Sequence, residues 1–387
     1  MAAYSEWNRV REILAGVKEK GKAAAWCVAG AGNGGMCMAG HLGFLGFETR
    51  LYNRTDEHLN AVRWYGGVDL EGEVEGFGPV KIATSSIKTA LEGADVIMIV
   101  TPSTAHYPLA AVMAPFLQDG QIVVLNPGRT GGALEFREVL RMEGCSAKPV
   151  IVEAQTFLYA SRMLSRHRGR IYRIKNGVPC SALPSHMTPD ALGVINQAFS
   201  AFIAGSNVLA TSLENIGAVF HPALTLLNAG WIESTGGNFE YYLQGISPSV
   251  AKVLQHVDDE RLAVARALGI RTVSAREWLY LTYDSAGEDL YSAIKASTGY
   301  AGIKAPGTIN HRYVWEDIPM SLVPLSSIGE MLGIPTPTID LVIDMAELML
   351  GTDYRAVGRT VETLGIKGFS VEQIHRLVTE GDIGGTP

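Results

Sequence analysis

The chain has 387 residues, of which 47% are hydrophobic and 18% charged, with a formal net charge of −7. At roughly 100–200 residues per domain, this length accommodates two domains, and the apolar content excludes a disordered chain. Lysine and arginine are scattered with no basic stripe, which argues against nucleic acid as a main partner.

The first predicted element is an amphipathic helix within residues 1–22, where Trp7, Val10, Ile13, Leu14 and Val17 recur at helical spacing. Charged residues from Glu6 to Lys20 leave no apolar core of the signal-peptide type. From Ala23 to about Thr156 short apolar runs alternate with helical stretches. Strands are expected at Ala23–Val28, Thr49–Asn53, Asp95–Val100, Gln121–Leu125 and Val150–Glu153. Helices are expected at Met36–Leu45, Ile87–Leu91, Ala110–Phe116 and Leu134–Arg141. The Gly- and acid-rich segment Asp69–Thr84 reads as a hairpin or loop insert, and Ile171–Leu183 as a strand-like return. This alternation predicts an α/β Rossmann-type, doubly wound parallel sheet over 23–206.

From about Thr211 onward helical periodicity dominates, at Leu213–Leu227, Ser249–Ala267, Ala275–Thr282, Leu290–Ala296, Pro337–Met349 and Val371–Thr379. A second, all-α domain over 207–387 is therefore expected, with Pro222 breaking its first helix near His221. The longest apolar candidate for a membrane span, Trp26–Phe47, is interrupted by seven glycines, Asn33 and His41, so no membrane partner is expected. The four cysteines, Cys27, Cys37, Cys145 and Cys180, lack metal-ligand or disulfide spacing. They are expected as reduced thiols of a cytoplasmic protein, with no metal site.

The segment Gly30-Ala31-Gly32-Asn33-Gly34-Gly35 places G-x-G-x-x-G between the first strand and a helix. Gly30 allows a tight turn, Gly32 lets the backbone approach a pyrophosphate, and Gly35 lets helix pack on strand. The helix N-terminus, with Asn33 and Gly34, offers free N–H groups and a positive dipole end to phosphates. A nicotinamide dinucleotide is therefore expected here. An acid ending the second strand would select NAD. Asn53-Arg54-Thr55 stands there instead. Arg54 can pair with a 2′-phosphate and Thr55 can donate to it, a contact of about 1.5–3 kcal/mol. NADP(H) is thus the expected cofactor, with NAD(H) as the alternative. Two more loops follow strands at the carboxyl edge of the sheet, where ligands of open α/β sheets sit. Thr101-Pro102-Ser103 is expected near the nicotinamide ribose. Asn126-Pro127-Gly128-Arg129 is expected to bring Asn126, Arg129 and the amide of Gly128 to a substrate carboxylate.

Among nine histidines, His221 stands apart in the apolar helical stretch Ile216–Asn228. By spacing alone it is either a satisfied core residue or a proton-transfer group facing a cleft.

The segments Asn126–Arg137, Thr211–Asn228, Phe239–Val250, His311–Leu325 and Pro335–Asp340 resemble the opine dehydrogenase family. The resemblance runs in order through both domains, from about Ala23 to Leu377, and leaves the N-terminal helix outside. It implies reductive condensation of an L-amino acid with a 2-keto acid, pyruvate foremost, through an imine that a nicotinamide cofactor reduces. It places the family's catalytic histidine on His221 and the carboxylate paired with it on Asp317. Arg312, in the same segment, becomes a candidate for a substrate carboxylate, and Asn215 a candidate substrate contact. The chain departs from the family pattern twice. Asn53-Arg54 replaces an aspartate at the end of the second strand, and Gly217 replaces an asparagine four residues before the histidine. The apolar helical domain favours an apolar amino acid, and a homodimer through that domain is plausible. Competing enzymes are glycerol-3-phosphate dehydrogenase and ketopantoate reductase, but these use a lysine acid and none occurs in Thr211–Asn228. A nucleotide-binding sensor without chemistry is the reading from another class.

Overall fold

The computed structural model describes residues 2–381, with side chains from Trp7 onward. Met1 and residues 382–387, included in the expected terminal segments, lie outside the described residues. The chain divides into two compact units. Unit 1 runs to Gly128, resumes over Gly132–Ser212 and takes the chain from Glu372. Unit 2 is Leu213–Val371 together with Arg129–Gly131.

Unit 1 holds twelve strands among its described residues. They are β1 (Ala25–Ala29), β2 (Glu48–Tyr52), β3 (Gly67–Gly72), β4 (Gly76–Pro79), β5 (Ile82–Thr84), β6 (Val96–Ile99), β7 (Ile122–Leu125), β8 (Val150–Ala154), β9 (Tyr159–Met163), β10 (Arg168–Ile174), β11 (Val178–Leu183) and β12 (Phe202–Ala204). Eight form one sheet in the order β12-β11-β8-β7-β6-β1-β2-β5. Every pairing is parallel except β11 against β8. The strands β1, β6 and β7 are buried throughout, as sheet interiors covered on both faces must be. Their Val28, Val96, Met98, Ile122 and Val124 belong to one apolar core. Each such side chain contributes about 1.5–3 kcal/mol on burial.

The chain leaves β1 towards β2 on one side and returns to β6 on the other. This reversal opens the ligand crevice of a doubly wound sheet, just beyond the carboxyl ends of β1 and β6. The Gly- and acid-rich insert is the hairpin β3–β4, which joins β10 and β9 in a second four-stranded sheet. The N-terminal helix, Ala2–Lys20, is part of unit 1. Its apolar stripe buries Val10, Leu14 and Val17, and Arg11 pairs with Asp190 at 3.3 Å.

Unit 2 is helical. Its main helices among the described residues are Gly217–Leu227, Pro248–Ala267, Ala275–Tyr283, Leu290–Ala296, Val323–Leu332 and Pro337–Leu350. Three expectations need correction. Pro222 does not break the helix near His221; the break falls at 214–216 and Gly217–Leu227 runs through the proline. The missing N–H forfeits one i→i−4 bond, but burial of Ala218, Val219, Phe220, Ala223, Leu224 and Leu226 holds the helix. The last helix, Val371–Glu380, was expected in the all-α domain, yet from Glu372 it belongs to unit 1. There the Thr379 carbonyl lies 2.8 Å from His186 Nδ1. The division also falls after Ser212 rather than after 206, because Thr211 and Ser212 donate to the buried Glu153 carboxylate of β8.

His41, on the helix Asn33–Phe44 that follows β1, is buried against Phe199 and lies 2.8 Å from the Tyr159 hydroxyl. Burial lowers its pKa from 6.5 to about 4. The neutral ring is favoured in the folded state, so this stability is full above pH 6.5 and is lost as pH falls towards 4. We expect unfolding free energy to drop by roughly 3 kcal/mol between pH 7 and pH 4 on account of His41. Urea unfolding across that range should show a correspondingly flatter profile for His41→Gln; identical slopes would remove His41 from the acid response.

Candidate active site

In unit 1 the turn after β1 is sterically specified. Gly30 has φ 116°, and a Cβ there would overlap the Val100 carbonyl beyond β6 and lie 2.9 Å from Thr101 Cγ2. A Cβ on Gly35 would overlap the Gly30 carbonyl oxygen. Only glycine lets the helix Asn33–Phe44 start so close to its strand. Nothing lies within 4 Å of the Cβ position of Gly32, which leaves its backbone open to a ligand. At the end of β6 the Thr101 hydroxyl is buried with no hydrogen-bond partner among the described residues. Both polar atoms of the Asn126 side chain, beyond β7, are in the same state. Buried polar groups are rarely left unpaired, so these atoms are available to a ligand. An open helix N-terminus, a glycine turn and orphaned groups along one sheet edge fit a dinucleotide.

Some residues expected to touch ligands are occupied within the chain. Asn53 Oδ1 accepts the Ala31 N–H at 3.2 Å, and its Nδ2 donates to the Thr55 carbonyl at 2.9 Å. Asn53 therefore braces the glycine turn. Asn33 Oδ1 accepts the Met163 N–H at 2.9 Å, tying the helix start to β9. Ser103 is buried in the turn that follows Pro102. The Gly128 amide donates to the Ala154 carbonyl at 3.1 Å and so does not present itself to a carboxylate. Thr55 is exposed although its Oγ1 also accepts from Asn53 Nδ2 at 3.2 Å; Arg54 is exposed and has no hydrogen bond or ion pair among the described residues.

Unit 2 brings His221 and Asp317 together. His221 Nδ1 lies 2.7 Å from Asp317 Oδ2, and the carboxylate is fully buried. Asp317 just precedes a π-helical turn, Ile318–Leu322, a rare element frequent at functional sites. Burial alone would raise the Asp317 pKa. The Arg129 charge and the His221 hydrogen bond outweigh that and hold it below the ordinary carboxylate range. With an ionised acceptor at Nδ1, the neutral ring keeps its proton there and turns the Nε2 lone pair outward.

Arg129 is a correction. It was expected to bind a substrate carboxylate, but its buried guanidinium lies 3.0 Å from Asp317 Oδ1 and 3.5 Å from Glu316. Asn215 is likewise occupied, with Oδ1 3.4 Å from Arg129 Nη1 and Nδ2 donating to Ser321 at 2.8 Å. Arg312 keeps about half its side chain exposed while its Nε reaches Glu316 at 3.3 Å.

Two aromatic partners of His221 escaped the sequence reading. The Tyr242 hydroxyl is 3.2 Å from Nε2, and the Tyr313 ring stacks on the imidazole at 4.1 Å. Tyr242 stacks in turn on Tyr300 at 4.0 Å. Both partners sit in segments whose motifs were noticed, Phe239–Val250 and His311–Leu325. An aromatic residue in a helical domain reads as core until its neighbours are known.

This chain is similar to known proteins along most of its length. A family model described as NAD/NADP octopine/nopaline dehydrogenase, alpha-helical domain, matches residues 204–350. The opine dehydrogenase of Arthrobacter sp. (strain 1C) is 37% identical over 354 residues, spanning 91% of this chain and 98% of that protein. A structure of octopine dehydrogenase with NADH and L-arginine superposes with a TM-score of 0.77 at 22% identity, over 92% of this chain and 98% of that one. A yersinopine dehydrogenase bound to NADP+ gives 0.70 at 15% identity, over 93% and 98%. These two structural likenesses concern the fold.

The Asp317 geometry makes a prediction about protons. In Asp317→Asn the amide oxygen stays with Arg129, so the NH2 group turns to His221 Nδ1. The neutral ring should then move its proton to Nε2, which nitrogen-15 NMR of the ring reads directly. Turnover through Nε2 should fall by up to about 10⁴-fold. An unchanged tautomer would contradict the orientation assigned to this carboxylate.

Proposed function

Because the chain belongs to the opine dehydrogenase family, we propose that it condenses an L-amino acid with a 2-keto acid, pyruvate foremost, and reduces the imine with NADPH. The observation that carries this proposal is the His221–Asp317 pair, with Nδ1 held at 2.7 Å by a buried carboxylate. The neutral Nε2 takes a proton from the substrate ammonium group, freeing the amine to add to the keto carbon. The resulting imidazolium returns that proton to the carbinolamine oxygen, which leaves as water. What remains is a protonated imine, a better hydride acceptor than the neutral one. When bound, the dinucleotide supplies the hydride. Gly30, Gly32, Gly34, Gly35 and Thr101 would hold it, and Asn126 meets the ligand at the same sheet edge. Arg312, half exposed, takes a substrate carboxylate. Tyr242, Tyr300, Phe220 and Trp278 form a chain of aromatic contacts leading from His221. They favour an apolar amino-acid side chain.

The preference for NADP rests on Arg54 and Thr55. Both are exposed just past β2, and position 53 at its end holds asparagine instead of an acid that would repel a 2′-phosphate. The four cysteines are free, in keeping with a cytoplasmic enzyme. No helix among the described residues is long and apolar enough to cross a membrane.

An NADPH-oxidation assay with pyruvate against the standard amino acids should reveal amine-dependent turnover, lost in His221→Ala by at least about 10²-fold. Its absence with pyruvate, glyoxylate and oxaloacetate alike would overturn the proposed reaction. Full kcat in the variant would remove His221 from it. Separately, Arg54→Ala should lower the NADPH-to-NADH ratio of kcat/KM about ten- to a hundredfold. An unchanged ratio would leave Arg54 without a part in cofactor choice.

A further inference from the structure

We infer that Arg129 is a positioning residue of the acid–base pair: its buried guanidinium keeps Asp317 ionised and oriented on His221, and the missing side chain of Gly217 makes room for it. The inference rests on the proposed role of His221.

The first support is geometric. Arg129 belongs to a three-residue segment, Arg129–Gly131, that is part of unit 2 although both flanks belong to unit 1. Arg129 adopts φ 63°, a left-handed conformation that a non-glycine residue keeps only where its surroundings impose it. The segment is anchored from both sides. The Thr130 N–H donates to the Met320 carbonyl at 3.2 Å, and Arg359 donates to the Thr130 carbonyl at 3.0 Å. The strained backbone thus delivers one guanidinium to Asp317, Glu316 and Asn215 at 3.0, 3.5 and 3.4 Å.

The second support is charge. Glu316 and Asp317 are adjacent and both almost fully buried. Beside them stand Arg129, the half-exposed Arg312, and His221, which carries charge only when protonated. Of the other titratable groups around the pair, burial raises Tyr241, Tyr242 and Tyr313 and lowers His311, so each stays neutral near pH 7. Without Arg129, the buried Asp317 would lose the guanidinium that stands 3.0 Å from its Oδ1. A carboxylate so placed takes up a proton, and a protonated Asp317 is a poor acceptor for Nδ1–H.

The third support is Gly217, one helical turn before His221. A Cβ there would lie 3.0 Å from Arg129 Nη1, 3.3 Å from Asn215 Oδ1 and 3.3 Å from His221 Cε1. Even one methyl group would require the guanidinium to shift by a few tenths of an ångström. The absence of a side chain at Gly217 thus leaves Arg129 its room.

Removing a positive charge favours the protonated form of its neighbours, so the apparent titration midpoint of the coupled pair should rise. The full-length Arg129→Met, Arg129→Lys and Gly217→Ala variants would be compared with the parent chain. Two readouts apply: the pH limb of kcat/KM, and NMR titration of the His221 ring protons, which needs no turnover. Arg129→Met should move the midpoint up by at least about one pH unit. Arg129→Lys should restore most of that shift while turnover stays reduced, and Gly217→Ala should move the midpoint in the same direction by less. Slower turnover with an unmoved midpoint in both Arg129→Met and Gly217→Ala would overturn the inference. Should Arg129→Met not fold, Gly217→Ala decides, since alanine is readily accepted in a helix. A parent chain without amine-dependent oxidation would overturn the proposed reaction instead, and the NMR midpoints would still decide the role of Arg129.

Discussion

The buried carboxylate of Asp317 is the interaction around which the helical unit is arranged. Each of its oxygens faces one cationic or proton-bearing partner, Arg129 on one side and His221 on the other. A carboxylate removed from water is costly by several kcal/mol unless its partners are well placed. The neighbouring structure meets that demand. The helix Gly217–Leu227 carries His221 and persists through a proline. Thr225 and Tyr241 both donate to the His221 carbonyl, fixing the backbone beneath the ring. Tyr313 covers one face of the imidazole, and Tyr242 approaches the nitrogen left over for chemistry.

Unit 1 is governed by contact distance instead of charge. Its glycine turn brings the start of a helix, the end of β1 and the loop after β6 so close that side chains at Gly30 or Gly35 would collide with backbone. Asn53 then locks the turn from the end of β2. A residue that in many dinucleotide folds would speak to the cofactor ribose here serves the loop, which leaves Arg54 and Thr55 to face outward. The same sheet edge leaves the Thr101 hydroxyl and the Asn126 amide unpaired among the described residues. Such groups are costly in an empty protein and useful in a loaded one.

Much of this was legible in the residues alone. Alternating apolar runs and helical stretches specify a parallel α/β unit, since each strand must be covered on both faces. G-x-G-x-x-G after the first strand marks the dinucleotide turn through steric demands that are purely local. His221 stood out by its surroundings, but its pairing with Asp317 was legible only through motif resemblance, because ninety-six residues separate them and no spacing rule links such a pair.

What the sequence by itself determined is whatever depends on neighbours in the chain: the order of strands and helices, the glycine turn, the asparagine in place of an acid at position 53. The tertiary structure alone decided which polar groups are already spoken for. Arg129, Asn215, Asn53 and the Gly128 amide all read as ligand contacts, and each is engaged by another part of the protein. It also decided that Pro222 is tolerated and that the last helix joins unit 1. The physical reason is common to all of these. Hydrogen bonds, ion pairs and burial are settled by whichever partners folding brings within 3 or 4 Å, and those partners lie tens to hundreds of residues away.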